Sequence, residues 1–216
     1  MAHAPRVTID PVNLPPLRRS SPPATVADWL AIPEHRRAEL IDGRIVYHAM
    51  PGPKHGTVTS QVAGTIAPRF HRRAGDAERP GGWWISQEVD MVIGGIGCRP
   101  DLLGWQRDKH PKLPVPDARG VVTECPEWIC EVLSHSTAAL DMGAKRSAYH
   151  RAGVLWYWLA DPANRTLTVL RRTEPDYLIT LVAGVGERVR AEPFGAVEVD
   201  VSDLFDFDEE EPATTG

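Results

Sequence analysis

The chain has 216 residues, 42% of them apolar, which is enough to bury one sizeable core and makes one domain the default. Its three cysteines (Cys98, Cys125, Cys130) are odd in number and lack C-x-x-C spacing, which argues against a disulfide framework or a zinc ribbon and fits a reducing compartment. No apolar run approaches the ~20 residues that span a bilayer, and the N-terminal segment has no signal-peptide core, so a cytoplasmic protein with no membrane partner is expected. The net charge of −5 is unevenly spread: residues 191–216 hold nine acids and no Lys or Arg, and removing those nine leaves residues 1–190 at +4. A mildly basic body with an acidic end is compatible with a polyanionic partner.

Residues 1–23 are Pro-rich without a hydrophobic period and are expected to form a flexible arm. A single domain over 24–207 and an acidic disordered tail over 208–216 are expected to follow. "TVADWLAI" suits a short helix capped by Thr25 with Trp29 and Leu30 facing inward. "AELIDGRIVYHAM" alternates around Asp42-Gly43, a dipeptide suited to the positive φ of a tight turn, and predicts a hairpin. In "KHGTVTSQVAGTIAPRFHRRAG", Val58, Val62, Ile66 and Phe70 recur at helical spacing, with Pro68 expected to kink the last turn and Gly75 expected to stop the helix.

"WWISQEVDMVI" and "RPDLLGWQ" read as two strands separated by a Gly-rich turn, and "EWICEVLS" as a third, buried on both faces. The Pro-rich loop 107–124 between them has no readable shape. "STAALDMGAKRSAYHRAG" predicts a helix of about four turns, opened by a hydroxyl cap at Ser136 and ended at Gly153. "VLWYWLAD", "TLTVLRR" and "YLITLVA" continue as strands. The order helix, hairpin, helix, strands, helix, strands indicates an α/β or α+β sheet flanked by helices.

Glu131 is the conspicuous residue. Strand alternation puts Ile129 and Leu133 on its face and Cys130 and Val132 on the other, and a carboxylate in such surroundings needs a proton, a cation or a metal. Asp101, at the entrance of its strand behind Pro100, would by itself pass for a turn residue. Asp141 and Lys145 are four apart on one helix face with Tyr149 extending the row, and alone would pass for a surface ion pair. The helix following the Glu131 strand folds back over the sheet, so these groups can meet. Two carboxylates and a lysine suit phosphodiester hydrolysis: hard oxygens hold Mg²⁺, and an ammonium orients or activates the attacking water.

The segments "AELIDGRIVY", "KHG", "RPDLLGW", "EWICEVLSHSTAALDMGAKRSAYHRAGVLWYWLADP" and "FGAVEVDVSDLF" together resemble the Uma2 family of the PD-(D/E)xK nuclease superfamily, over about residues 24–207. The resemblance implies a restriction-endonuclease-like α/β (α+β) fold: a mixed central sheet flanked by helices, with additional strand hairpins. It implies a metal-dependent DNA endonuclease using Mg²⁺ or Mn²⁺ and acting as a homodimer. On this sequence it makes Asp101 a metal ligand, Glu131 the second carboxylate, and the carbonyl of Val132 a third oxygen. The motif lysine belongs at position 133, which is Leu133, so the resemblance moves that role to Lys145, with Asp141 positioning it. Glu39, His55 and Ser134 are implied as supporting residues.

The basic residues Arg69, Arg72, Arg73, Lys109, Lys112, Arg146 and Arg151 are scattered along the chain, with no clear phosphate-neutralising stretch. The tryptophans (Trp83, Trp84, Trp105, Trp128, Trp156, Trp158) are expected to pack the core and not to stack on bases. Two rival classes remain from sequence. A non-catalytic nucleic-acid-binding or regulatory module would bind DNA without needing Asp101 and Glu131, and a metallohydrolase of a small phosphorylated molecule would bind little of it.

Overall fold

The computed structural model describes residues 22–134 and 138–207. The expected tail from residue 208, nearly all of the expected arm, and the expected cap at Ser136 lie outside the described residues. In chain order the elements are α1 (Val26–Leu30), β1 (Ala38–Ile41), β2 (Arg44–Tyr47), α2 (Pro53–Phe70), β3 (Trp83–Gln87), β4 (Met91–Ile93), β5 (Ile96–Cys98), β6 (Leu102–Gln106) and β7 (Trp128–Val132). Then come α3 (Ala138–Leu140), a π-helical turn (Asp141–Lys145), α4 (Arg146–Ala152), β8 (Trp156–Asp161), β9 (Thr166–Arg172), β10 (Tyr177–Gly184), β11 (Arg188–Val189), β12 (Val199–Asp200) and α5 (Val201–Leu204).

The architecture is the expected α+β one, a mixed six-stranded sheet ordered β10-β9-β8-β7-β6-β3 beside a four-stranded sheet ordered β2-β1-β5-β4. β7 and β8 run parallel while the other neighbours in the six-stranded sheet are antiparallel. A parallel pair needs a crossover, and α3, the π turn and α4 supply it. Both faces of β7 are buried, as its unbroken apolar run requires. Trp128, Cys130 and Val132 join the core under α2 with Val58, Val62, Ile66 and Phe70, whereas Ile129 and Leu133 join the core on the opposite face with Tyr149 and Tyr157. No described helix is long and apolar enough to cross a membrane.

Local signals account for much of this. Thr25 caps α1 through a reciprocal capping box with Asp28, and Trp29 is buried. β1 and β2 pair around Asp42 and Gly43, both at positive φ (49° and 72°), which a two-residue hairpin turn demands. Trp83, Trp128 and Trp158 surround Phe194 with ring centroids at 4.9–5.6 Å, so these tryptophans pack the core as expected.

Three elements differ from expectation. Helix α2 ends at Phe70, short of Gly75: Pro68 lies inside its last turn, His71 leaves helical geometry, and the His71 ring accepts the Ile85 amide at 2.9 Å. The segment read as one strand over 83–93 is two, divided near Glu88 at φ 48°. β3 pairs with β6, while β4 turns at Gly94-Gly95 to pair with β5 in the other sheet. The helix after β7 is not regularly α-helical; its middle turn is π, a rare widening that recurs at functional sites. There the hydroxyl of Tyr157 donates to the Asp141 carbonyl at 3.0 Å.

Candidate active site

Where the two sheets meet, a pocket of about 710 Å³ opens, and Glu39, His55, Asp101, Glu131, Val132, Ser134, Asp141 and Lys145 all line it. The structure thus gathers every residue singled out from the sequence. Each comes from a different kind of position: Asp101 from the lead into β6, Glu131 and Val132 from the end of β7, Glu39 from β1, His55 from the first turn of α2, and Asp141 and Lys145 from the two ends of the π turn. The antiparallel pairing of Leu102 with Cys130 brings Asp101 level with Glu131, and the amide of the next residue, Val132, donates to Asp101 Oδ2 at 2.8 Å.

Lys145 forms the centre. Its Nζ lies 2.7 Å from Glu131 Oε1, 3.2 Å from Glu39 Oε2 and 3.4 Å from Asp141 Oδ1, and its side chain is only 4% exposed. Tyr149, next in the row on the helix, donates its hydroxyl to Glu131 Oε1 at 2.7 Å. Glu39 is further held by the Arg99 amide at 2.9 Å and faces His48 Nε2 at 2.9 Å. On the other side, His55 Nε2 stands 3.1 Å from Asp101 Oδ1.

The electrostatics follow from three carboxylates around one buried ammonium, with Asp101 as a fourth acid acting on Glu131. Burial raises the Glu131 carboxyl, Lys145 opposes this, and Asp101, Asp141 and Glu39 reinforce it, leaving Glu131 well above the usual carboxylate range. Burial also acts to raise Glu39, but Lys145, His48 and the Arg99 amide outweigh it and hold Glu39 at about 2. For Lys145, burial acts downward and Glu131, Glu39 and Asp141 more than reverse it, so the side chain stays an ammonium. Burial likewise acts to lower His55, and its contact with Asp101 turns the shift upward.

Among the described residues, no three His, Cys, Asp or Glu side chains form a ready-made metal cage. The donor chemistry nonetheless fits Mg²⁺ or Mn²⁺, which take one or two carboxylates and retain several waters. Asp101 and Glu131 are hard oxygen donors on adjoining strands, and the excess of buried carboxylate over ammonium calls for further positive charge.

Sequence reasoning missed His48 and Arg99, whose contacts with Glu39 come from a neighbouring strand end and a loop and leave no spacing signal. Tyr149 was visible as a member of the helix row but not as a partner of Glu131.

A mixed sheet bearing an acid before one strand, an acid at the end of the next and a lysine on the following helix defines a restriction-endonuclease-like architecture. The sequence matches the Uma2 family, described as "Putative restriction endonuclease", over residues 25–202, and the chain belongs to that family. The fold is similar to the crystal structure of a putative nuclease belonging to DUF820 from Anabaena variabilis ATCC 29413, with a TM-score of 0.66 and 21% identity over 85% of this chain and 98% of that one. No curated protein matches the sequence.

Proposed function

We propose that the protein is an endonuclease that hydrolyses phosphodiester bonds of DNA with Mg²⁺ or Mn²⁺ as cofactor. The observation that carries this reading is the meeting of Asp101, Glu131 and Lys145 on one pocket floor where carboxylates outnumber ammonium groups. Membership of the Uma2 family supports it. Asp101, Glu131 and the Val132 carbonyl would hold the metal, which supplies Lewis-acid stabilisation of phosphoryl oxygens and a more acidic water. Lys145 stays charged, so it orients the attacking water and balances developing negative charge instead of removing a proton. Glu39 and Asp141 position Lys145 from two sides. The N-terminus of α2 also lines the pocket through Gly52 and His55, and no side chain caps it. Its amides and dipole, with His55, suit a phosphate.

The test is nicking of supercoiled plasmid with either metal by wild type, Asp101→Ala and Glu131→Gln, all purified identically. Cleavage is expected from the wild type alone. Equal cleavage by all three would indicate a contaminating nuclease, and duplex binding without cleavage by any would move the assignment to a non-catalytic module.

The reading includes a cytoplasmic location, in keeping with three free cysteines, and a homodimer. β10 is an edge strand whose sequence YLITLVAG has no charge and no proline, and Leu178, Ile179 and Val182 are 56–58% exposed. Such an edge lacks the usual protection against strand pairing. Pairing of two copies along β10 is therefore expected, and Val182→Lys should shift the mass measured by light scattering from dimer to monomer. A wild type that is monomeric at all concentrations would remove the dimer from the reading.

A further inference from the structure

Two of the basic residues that look scattered in the sequence, Arg73 and Lys112, meet Arg107 at the edge of the six-stranded sheet. Arg73 follows α2, Trp84 lies on β3, Arg107 follows β6 and Lys112 stands in the 107–124 loop. With Pro111 and Leu113 they line a second cavity of about 500 Å³. Trp84 is only partly buried, unlike the core tryptophans. The Arg107 guanidinium lies over its indole, 3.2 Å from the ring centroid, and donates through Nε to the Trp83 carbonyl at 2.9 Å. The indole N–H of Trp84 donates to the His110 carbonyl at 2.9 Å, so the stack is held from both partners.

The Arg73 segment is also fixed. Amides of Gly75, Gly81 and Gly82 donate to the carbonyls of Pro80, Arg69 and Arg72, which closes the loop between α2 and β3. Gly81, at φ +67°, approaches so closely that a Cβ there would lie 1.9 Å from the Arg73 carbonyl oxygen. Among the described residues, Arg73, Arg107 and Lys112 have no carboxylate partner. Partial burial and the neighbouring charge of Arg73 both weaken the basicity of Arg107, a like-charge opposition that a bound anion would relieve.

Three unopposed cations on a fixed frame favour an anion, and two guanidinium forks match phosphate oxygens. The cation stacked on an indole offers a flat surface that suits a nucleobase and has no use for a simple carboxylate. We propose that this patch is a second, non-catalytic contact for a nucleic-acid strand, taking backbone phosphates on Arg73, Arg107 and Lys112 and a base on the Arg107–Trp84 stack. Asp101 and Arg107 bracket β6, about 20 Å apart at the rise of a strand, which is roughly six steps of a strand in stacked, duplex-like geometry at ~3.4 Å each. The 107–124 loop joins the two places: Pro111, Lys112 and Leu113 line the patch, and Arg119, Gly120 and Val121 line the pocket. A strand lying along this loop reaches both.

The proposal concerns binding and holds whether or not the pocket cleaves, so it is tested without metal. Anisotropy of a labelled single-stranded oligonucleotide about 20 nucleotides long is followed in EDTA over a salt series. The variant Arg73→Gln/Lys112→Gln is compared with wild type and with Arg44→Gln/Arg188→Gln, which removes two exposed charges elsewhere. All four positions are exposed, so folding should survive. The patch variant is expected to bind about tenfold more weakly at low salt, with the slope of log affinity against log salt reduced by about 1.4, two contacts at ~0.7 each. The control pair should change affinity less than about twofold, because a generic loss of charge acts weakly at a distance. Poly-glutamate of matched charge should compete at least about tenfold less well than unlabelled oligonucleotide, since it has no bases to stack. An unchanged slope, equal weakening by the control pair, or equal competition by poly-glutamate would each overturn the proposal. Plasmid nicking is scored separately, so failure of the patch and failure of the endonuclease reading are distinguishable.

Discussion

Glu131→Gln is expected to leave the metal-free protein as stable as the wild type or more stable at neutral pH, while plasmid nicking falls by about a thousandfold or more. Glutamine mimics the neutral carboxyl that burial and three neighbouring acids favour at this position, and keeps an oxygen for the Tyr149 hydroxyl. Because the folded carboxyl lies above its ordinary 4.5, the folded state holds the proton longer than the unfolded one, and this residue's contribution to stability declines as pH rises from 4.5 upward. The variant lacks that decline. Denaturant unfolding at pH 4 and pH 7.5 should therefore show the two proteins closest in acid and the variant level or ahead at pH 7.5. A loss of more than about 1 kcal/mol at pH 7.5 would mean that the pairing with Lys145 outweighs the crowding of acids. The rise in melting temperature given to the wild type by Mg²⁺ or Mn²⁺ should also vanish. A residue kept for stability alone would not separate the readouts in this way.

The sequence was most legible where structure is decided locally. The Asp42-Gly43 turn, the Val58, Val62, Ile66 and Phe70 stripe, and the two-sided burial of 128–133 each follow from a period or a backbone requirement written in adjacent residues. Elsewhere a distant partner decides. Residues 83–93 keep one apolar pattern, yet β3 belongs with β6 and β4 with β5, and nothing local marks the division. The π turn at 141–145 has no compositional signal either, although it carries both Asp141 and Lys145.

The site divides along the same line. Glu131 stood out because a carboxylate in an apolar strand demands a partner, and Lys145 because it follows Asp141 by four residues on the next helix. Glu39 and His55 came from the resemblance to the Uma2 family, since a lone acid in a hairpin and a lone histidine at a helix start have no intrinsic signature. The patch of Arg73, Arg107 and Lys112 was invisible because its members come from two connections far apart in the chain, α2 to β3 and β6 to β7.

Lys145→Ala is expected to abolish nicking and to destabilise the metal-free protein by about 3–5 kcal/mol at pH 7, the usual cost of removing one member of a buried ionic cluster. Lys145 Nζ lies within 3.4 Å of Glu39, Glu131 and Asp141, and its loss removes that shared positive charge from side chains only 4% exposed. The sign with pH follows from Glu39. In the wild type its carboxyl is held at about 2 against an ordinary 4.5, so its contribution is fully present above 4.5 and is lost as pH falls toward 2. Without Lys145 the largest influence opposing burial is gone and Glu39 protonates more readily, so the variant has less to lose in acid. The gap between wild type and variant should therefore be widest near neutrality and shrink below about pH 4.5. Saturating Mg²⁺ should narrow it at pH 7 as well, because added positive charge substitutes for the ammonium among the carboxylates. A deficit of the same size at every pH and metal concentration would assign the loss to the packing of the lysine stem, and full nicking activity would remove Lys145 from the reaction.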